Sequence, residues 1–227
     1  MTNIYVFTET EDTIVKKILR ALRLEVNEKL KLALPGIVTR IKSLTYDFLI
    51  STPEYNALIN GPLVGQFGFY KGTQEGKVRA IIDELVEQVY VEHIVSNRIT
   101  SKGNFSGGIK LSIIDAGFKN VMEMNEAHII TEKGVDLPWL EWLLVKGDKI
   151  IIDTHYFRPG GYRRSRSGRG LMYENIETSK YWRVPPEYKG TLRNNWFTRA
   201  ILGHADVFLV YASYIIEEEI KRVLDYV

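Results

Sequence analysis

Helical spacing fills the first part of this chain, short strand-like runs fill its middle, and helical spacing returns at the end. A parallel α/β sheet needs strands and helices in alternation, so this order predicts an α+β fold. The expected architecture is N-terminal helices, a central antiparallel β-sheet with a long flexible hairpin loop, and a C-terminal helix. In domain terms, residues 1–90 read as a mainly helical region and residues 91–227 as a β-rich region with the final helix, or the two form one continuous domain.

Thr10 is a fitting N-cap, followed by Glu11 and Asp12, whose carboxylates suit the first turn of a helix. Ile14, Ile18, Leu22, Val26 and Leu30 then recur four apart, flanked by Val15, Leu19 and Ala33, while Lys16, Arg20, Arg23 and Lys31 lie largely off the stripe. That pattern predicts an amphipathic helix with one buried face. Pro35-Gly36 predicts an interruption, either a kink or a turn, before a second helical stretch from Ile37 to Leu49. Thr52-Pro53-Glu54 predicts a short helix with Thr as N-cap. The glycines at 61, 65, 68 and 72 predict a loop, and Val78, Ile81, Ile82, Leu85 and Val89 another helix.

After residue 90 come VYVEHIVSN, GGIKLSIID, DKIIIDTHYF and RGLMYENI, β-rich runs separated by Gly, Asn, Ser and Pro. LPWLEWLLV (Leu137 to Val145) is too aromatic and apolar to lie exposed, and is either a short helix or a strand across the sheet. From Asn194 the chain is helical again, with Gly203 a breaking point.

The net charge of +2 is too small to indicate a nucleic-acid partner by itself, and the absence of cysteine excludes disulfides and thiolate sites. MTNIYVFTETED lacks a basic segment followed by an apolar run, so no signal peptide is expected. The longest nearly apolar run, Ala205 to Ile216, is shorter than the roughly 18 residues a membrane span needs, and predicts a buried helix in a soluble intracellular protein.

Catalytic patterns are missing. His93, His128, His155 and His204 are scattered, and Asp153 with His155 on one strand face supplies too few ligands for a usual zinc site. There is no phosphate loop and no Gly-x-Ser-x-Gly elbow. Glu123 with Glu126, and Glu217 with Glu219, read as solvated carboxylates. No enzyme, cofactor or metal is expected.

Two segments are unusual. RPGGYRRSRSGRG holds Arg158, Arg163, Arg164, Arg166 and Arg169 with no acid and four glycines. Such a cationic segment suits either phosphates or an acidic protein patch. Between Tyr181 and Ala200, Trp182 and Trp196 bracket Pro185-Pro186 and Gly190, and Asn194 or Asn195 can cap a helix beginning at Trp196. Trp182, Pro185, Pro186 and Trp196 are expected as a structural junction with both rings in the core. Trp139 and Trp142 stand with the five arginines as candidate partner-contacting residues.

LPWLEWLLVKGDKIII, then SRSGRGLM, then WRVPPEYKGTLRNNWFTRAI resembles a set of tailed-bacteriophage virion proteins described as neck, head–tail joining or tail-completion components. The similarity spans roughly residues 137–201, with a fainter one in STPEYNALINGPLVGQFGF. The resemblance implies a homo-oligomeric ring in the virion, assembled in the host cytoplasm and joining portal or connector to tail. It implies other neck, connector and tail proteins as partners, with non-specific contact to DNA in the channel as a further one and no membrane. A tail terminator capping the tail tube is the neighbouring alternative. Outside that family, the alternatives are an interaction module of a cellular complex or a metal-dependent nucleic-acid-acting protein using the arginines with Glu141, Asp148 and Asp153.

Overall fold

Helix α1 runs from Glu11 to Ile50 and carries Pro35 inside it, so of the two expected interruptions at Pro35-Gly36 the turn does not occur. Proline removes one backbone donor, but the surrounding turns bury Ala33, Ile37 and Ile41, and Thr39 Oγ1 donates to the Pro35 carbonyl at 3.0 Å. Burial outweighs the single lost hydrogen bond. The expected apolar stripe is fully buried only from Leu30 onward; Ile14 and Val26 are half-buried, and Ile18 and Leu22 are exposed. The structure, a computed structural model, describes residues 10–99, 104–113, 118–132, 134–149, 151, 155–160, 165, 168, 170–174 and 182–225.

The remaining elements are α2 (Pro53–Ile59), α3 (Pro62–Gln66), α4 (Gln74–Val86), β1 (Val89–Ile94), β2 (Gly108–Ile113), α5 (Lys119–Met122), β3 (Ile129–Ile130), β4 (Asp136–Leu137), α6 (Trp139–Leu144), β5 (His155–Pro159), β6 (Gly170–Glu174), α7 (Trp196–Leu202) and α8 (Ala205–Asp225), with a 3-10 turn at Asn125–Ala127. About 56% helix and 16% strand, unalternated, make this an α+β fold. The strands form small antiparallel sheets; those among the described residues are β1–β2, β3–β4 and β5–β6.

Packing divides the chain into two compact units. The first comprises residues 1–41, 90–112 and 212–227. Here α1 buries Leu30, Ala33, Ile37 and Ile41, and α8 buries Ala212 and Ile215. Asn27 clasps the chain after β1: its Nδ2 donates to the Ser96 carbonyl at 3.2 Å and its Oδ1 accepts from the Ser96 amide at 3.0 Å. A side-chain amide thus replaces a strand partner for Ser96. Gly107 packs against the Ile94 carbonyl and the Ser96 backbone, where a Cβ would collide.

The second unit comprises residues 42–89 and 113–211 and is built on aromatic rings. Phe67 lies 5.9 Å from Trp139, 6.2 Å from Trp142 and 6.2 Å from Trp182, while Trp142 and Trp182 meet edge-on at 5.7 Å. Phe69 adds an edge contact to Trp139 at 5.1 Å. The glycine-rich stretch read as a loop therefore contains α3 and delivers two fully buried phenylalanines to the core. Gly68 between them has φ +74°, a left-handed conformation that glycine adopts without penalty. LPWLEWLLV takes the helical of its two options, as α6, with Trp139, Leu140, Trp142, Leu143 and Leu144 all buried.

Several local expectations hold. Thr52 caps α2, accepting from the Tyr55 amide at 3.2 Å. Asn195 caps α7 in a reciprocal box: its Oδ1 accepts from the Thr198 amide at 3.1 Å, and Thr198 Oγ1 accepts from the Asn195 amide at 2.9 Å. The helical chain breaks at Gly203, between α7 and α8.

Candidate partner interface

Strands β5 and β6 form an antiparallel ribbon in the register Tyr156↔Tyr173 and Arg158↔Leu171. On one face Tyr156 stacks on Tyr173 with centroids 6.0 Å apart, and the Arg158 guanidinium lies 5.9 Å from the Tyr173 ring centre. Side chains two apart share a strand face, and directly opposed residues meet across it; together these rules build this row. On the other face Gly170 leaves room for the Phe157 ring, which a Cβ would strike. Between the strands, Ser165 Oγ donates to the Gly170 carbonyl at 2.5 Å, and Gly168 has φ +68°. Arg158 is exposed at the end of the ribbon. Arg163, Arg164, Arg166 and Arg169 belong to the same connection in sequence but lie outside the described residues. The hairpin thus presents one guanidinium over an aromatic ring, an arrangement that suits anions and amphipathic surfaces.

A second surface lies on α8. Phe208, Ala212 and Ile215 are buried on one side of it. Val207, Val210, Tyr211 and Tyr214 recur three and four apart on another side and are 50–68% exposed. The apolar run is therefore covered on one face only, contrary to the expected wholly buried helix. A helix on the outside of a unit has neighbours on one side, while this run is apolar all round. The next turn turns acidic, with Glu217 and Glu218 paired to Lys221 at 2.9 and 3.8 Å. Among the described residues no single helix is long and apolar enough to cross a membrane.

The segment that carries the family resemblance is mostly devoted to holding the fold. Trp196 is fully buried and its Nε1 donates to Thr52 Oγ1 at 2.7 Å, tying α7 to the start of α2. Arg199 Nε donates to Glu54 Oε1 at 2.8 Å, and Glu54 is only 5% exposed. The rest of that guanidinium donates to the carbonyls of Tyr188 at 3.3 Å, Lys189 at 3.1 Å and Asn194 at 3.4 Å. After Pro185 the Tyr188 and Lys189 amides turn back onto the Pro185 carbonyl at 3.0 and 3.1 Å, so the double proline starts the turn that Arg199 gathers. Gly190 passes so close to the Leu143 carbonyl that a side chain has no room, and its own carbonyl accepts from the Gly147 amide at 3.0 Å. Trp182 is buried against Trp142 and Phe67. Trp139 and Trp142 are 0% and 4% exposed, so as candidate contact residues they are displaced: the rings are spent on this chain's own core.

Of the acids proposed for a metal site, the two among the described residues are each paired with a lysine. Asp148 pairs with Lys189 at 2.7 Å, which holds its carboxyl below the usual range, and Glu141 pairs with Lys146 at 2.6 Å. Asp153 lies outside the described residues, among which no group of three or more His, Asp or Glu could hold a metal ion. Glu219 is not the solvated acid expected. It is 4% exposed, accepts from Arg40 Nη1 at 3.0 Å and has Arg222 at 3.6 Å. The signal for this was its spacing, since 208, 212, 215 and 219 continue one helical face. The pairings of Glu54 with Arg199 and of His128 with Asp136 join separate elements and left no periodic trace. Compared with known proteins, the chain matches no family model, no curated protein and no solved structure.

Proposed function

We propose that this chain is a non-catalytic structural subunit of a tailed-bacteriophage neck, a tail-completion adaptor that assembles as a ring between head and tail. The observation that carries the proposal is the uncovered face of α8, where Val207, Val210, Tyr211 and Tyr214 lie half or more exposed along one helix. Contiguous apolar and tyrosine surface of this kind marks association sites, and tyrosine is enriched at protein interfaces. The basic β5–β6 hairpin, with Arg158 seated on Tyr173, adds a charged element of the kind that sets register between subunits. Both features suit a subunit whose neighbours complete its surface, and the sequence resemblance across residues 137–201 supplies the class of assembly. In this reading the ring's partners are further copies of the chain and the adjoining connector and tail proteins, with DNA in the channel as a non-specific neighbour.

The test is a Val210→Glu, Tyr214→Glu variant supplied in place of the natural chain during particle assembly. Both positions are exposed, so the free subunit should fold. Accumulation of unjoined heads and tails is the expected result; joined, infectious particles would remove this face from the proposal.

A further inference from the structure

His128 sits between two acceptors. Its Nδ1 is 2.9 Å from both carboxylate oxygens of Asp136 on β4, and its Nε2 is 2.8 Å from the Met122 carbonyl at the end of α5. A carboxylate and a carbonyl only accept, and a neutral imidazole has one N–H. Both contacts are hydrogen bonds only when the ring is an imidazolium. The neutral ring keeps its proton towards the Asp136 charge and turns a lone pair on the Met122 oxygen.

We propose that His128 is a proton-dependent clasp, tying the last turn of α5 to the β3–β4 hairpin when charged and releasing that turn when neutral. The neighbouring holds do not depend on this proton: Lys77 Nζ donates to the carbonyls of Asn125 and His128 at 3.2 and 3.3 Å, and Trp139 Nε1 donates to the Glu126 carbonyl at 2.8 Å. Release is therefore confined to α5. An open cleft faces the ring, and its other titratable or charged groups are Asp136, Lys77 from α4, Glu123 at the end of α5 and Tyr70. Burial opposes the charge on His128, but the hydrogen bonds it donates to Asp136 and Met122 and the Asp136 charge outweigh both burial and Lys77, raising its pKa above the ordinary 6.5. The direction of the effect follows. A group whose folded pKa is raised contributes its full stabilisation below 6.5 and loses it as pH climbs through the higher folded value. The clasp is thus closed in mild acid and opens as pH rises through the raised pKa of this one ring. This holds whether or not the chain belongs to a phage neck.

The experiment is an NMR titration of the His128 ring with amide exchange measured at Met122, Glu123 and Met124, whose amides bond to Phe118, Lys119 and Val121. Exchange at these three should rise beyond its intrinsic pH dependence as His128 loses its proton, with the same midpoint as the ring. Asp136→Asn should lower the ring's midpoint and move the rise in exchange with it, and His128→Ala should give fast exchange at every pH. Amide exchange that ignores the His128 midpoint, or a midpoint unmoved by Asp136→Asn, would overturn the clasp.

Discussion

The Glu219 carboxylate rests against the Cα of Gly36, in space that any side chain at position 36 would occupy. The same carboxylate accepts from Arg40 one turn along α1. Gly36 therefore leaves room for this approach, in a helix that does not stop after Pro35.

Gly36→Ala is expected to push the Glu219 carboxylate aside, at a net cost of at most about 1 kcal/mol because alanine is the better helix former. Gly76, inside α4 with open space where its Cβ would be, is the control. Gly76→Ala should be neutral or stabilise by up to about 1 kcal/mol. Denaturant unfolding of the two variants checks the contrast; equal effects would show that the Glu219 approach is unimportant.

Arg199→Met should cost about 3–5 kcal/mol, because it leaves Glu54 buried without its charge partner. Arg199→Lys should recover only part, since a point charge cannot also reach the Tyr188, Lys189 and Asn194 carbonyls. Pairing Arg199→Met with Glu54→Leu should restore stability relative to the single change. Unfolding measurements on the set separate loss of the ion pair from loss of the gathered turn.

For Trp196→Ala a loss of about 3–5 kcal/mol is expected, from a cavity in the second unit. Trp196→Phe keeps most of the volume but drops the bond to Thr52 Oγ1, and should cost less. A loss of only a few tenths for Trp196→Ala would contradict its place in the core.

What was legible in the sequence was local. Caps at Thr52 and Asn195, the spacing of α4 and the break at Gly203 are written in neighbouring residues, and all four appear, except that Val89, read with the helix, opens β1. Pro35 misled because local chemistry argued for a stop while packing of Ala33, Ile37 and Ile41 overrode it. Phe67 and Phe69 were hidden by the glycines around them. The exposed row on α8 was invisible for a different reason: a run apolar on all sides does not say which side the fold will cover. Of the five arginines in the basic segment, Arg158 is the one among the described residues, and its guanidinium lies over a tyrosine ring.

Replacing Arg163, Arg164, Arg166 and Arg169 together with Ser tests the basic segment. The account expects free heads and free tails, from loss of docking to an acidic neighbour. Joined particles that leak DNA would assign the arginines to the channel instead, and normal infectivity would leave them without a role.

The most direct measurement is a cryo-electron-microscopy reconstruction of the assembled particle at the junction of head and tail. The account predicts a ring of copies of this chain there, with the α8 face of Val207, Val210, Tyr211 and Tyr214 covered by a neighbouring subunit. A complete neck and tail in which no density fits this chain would contradict it.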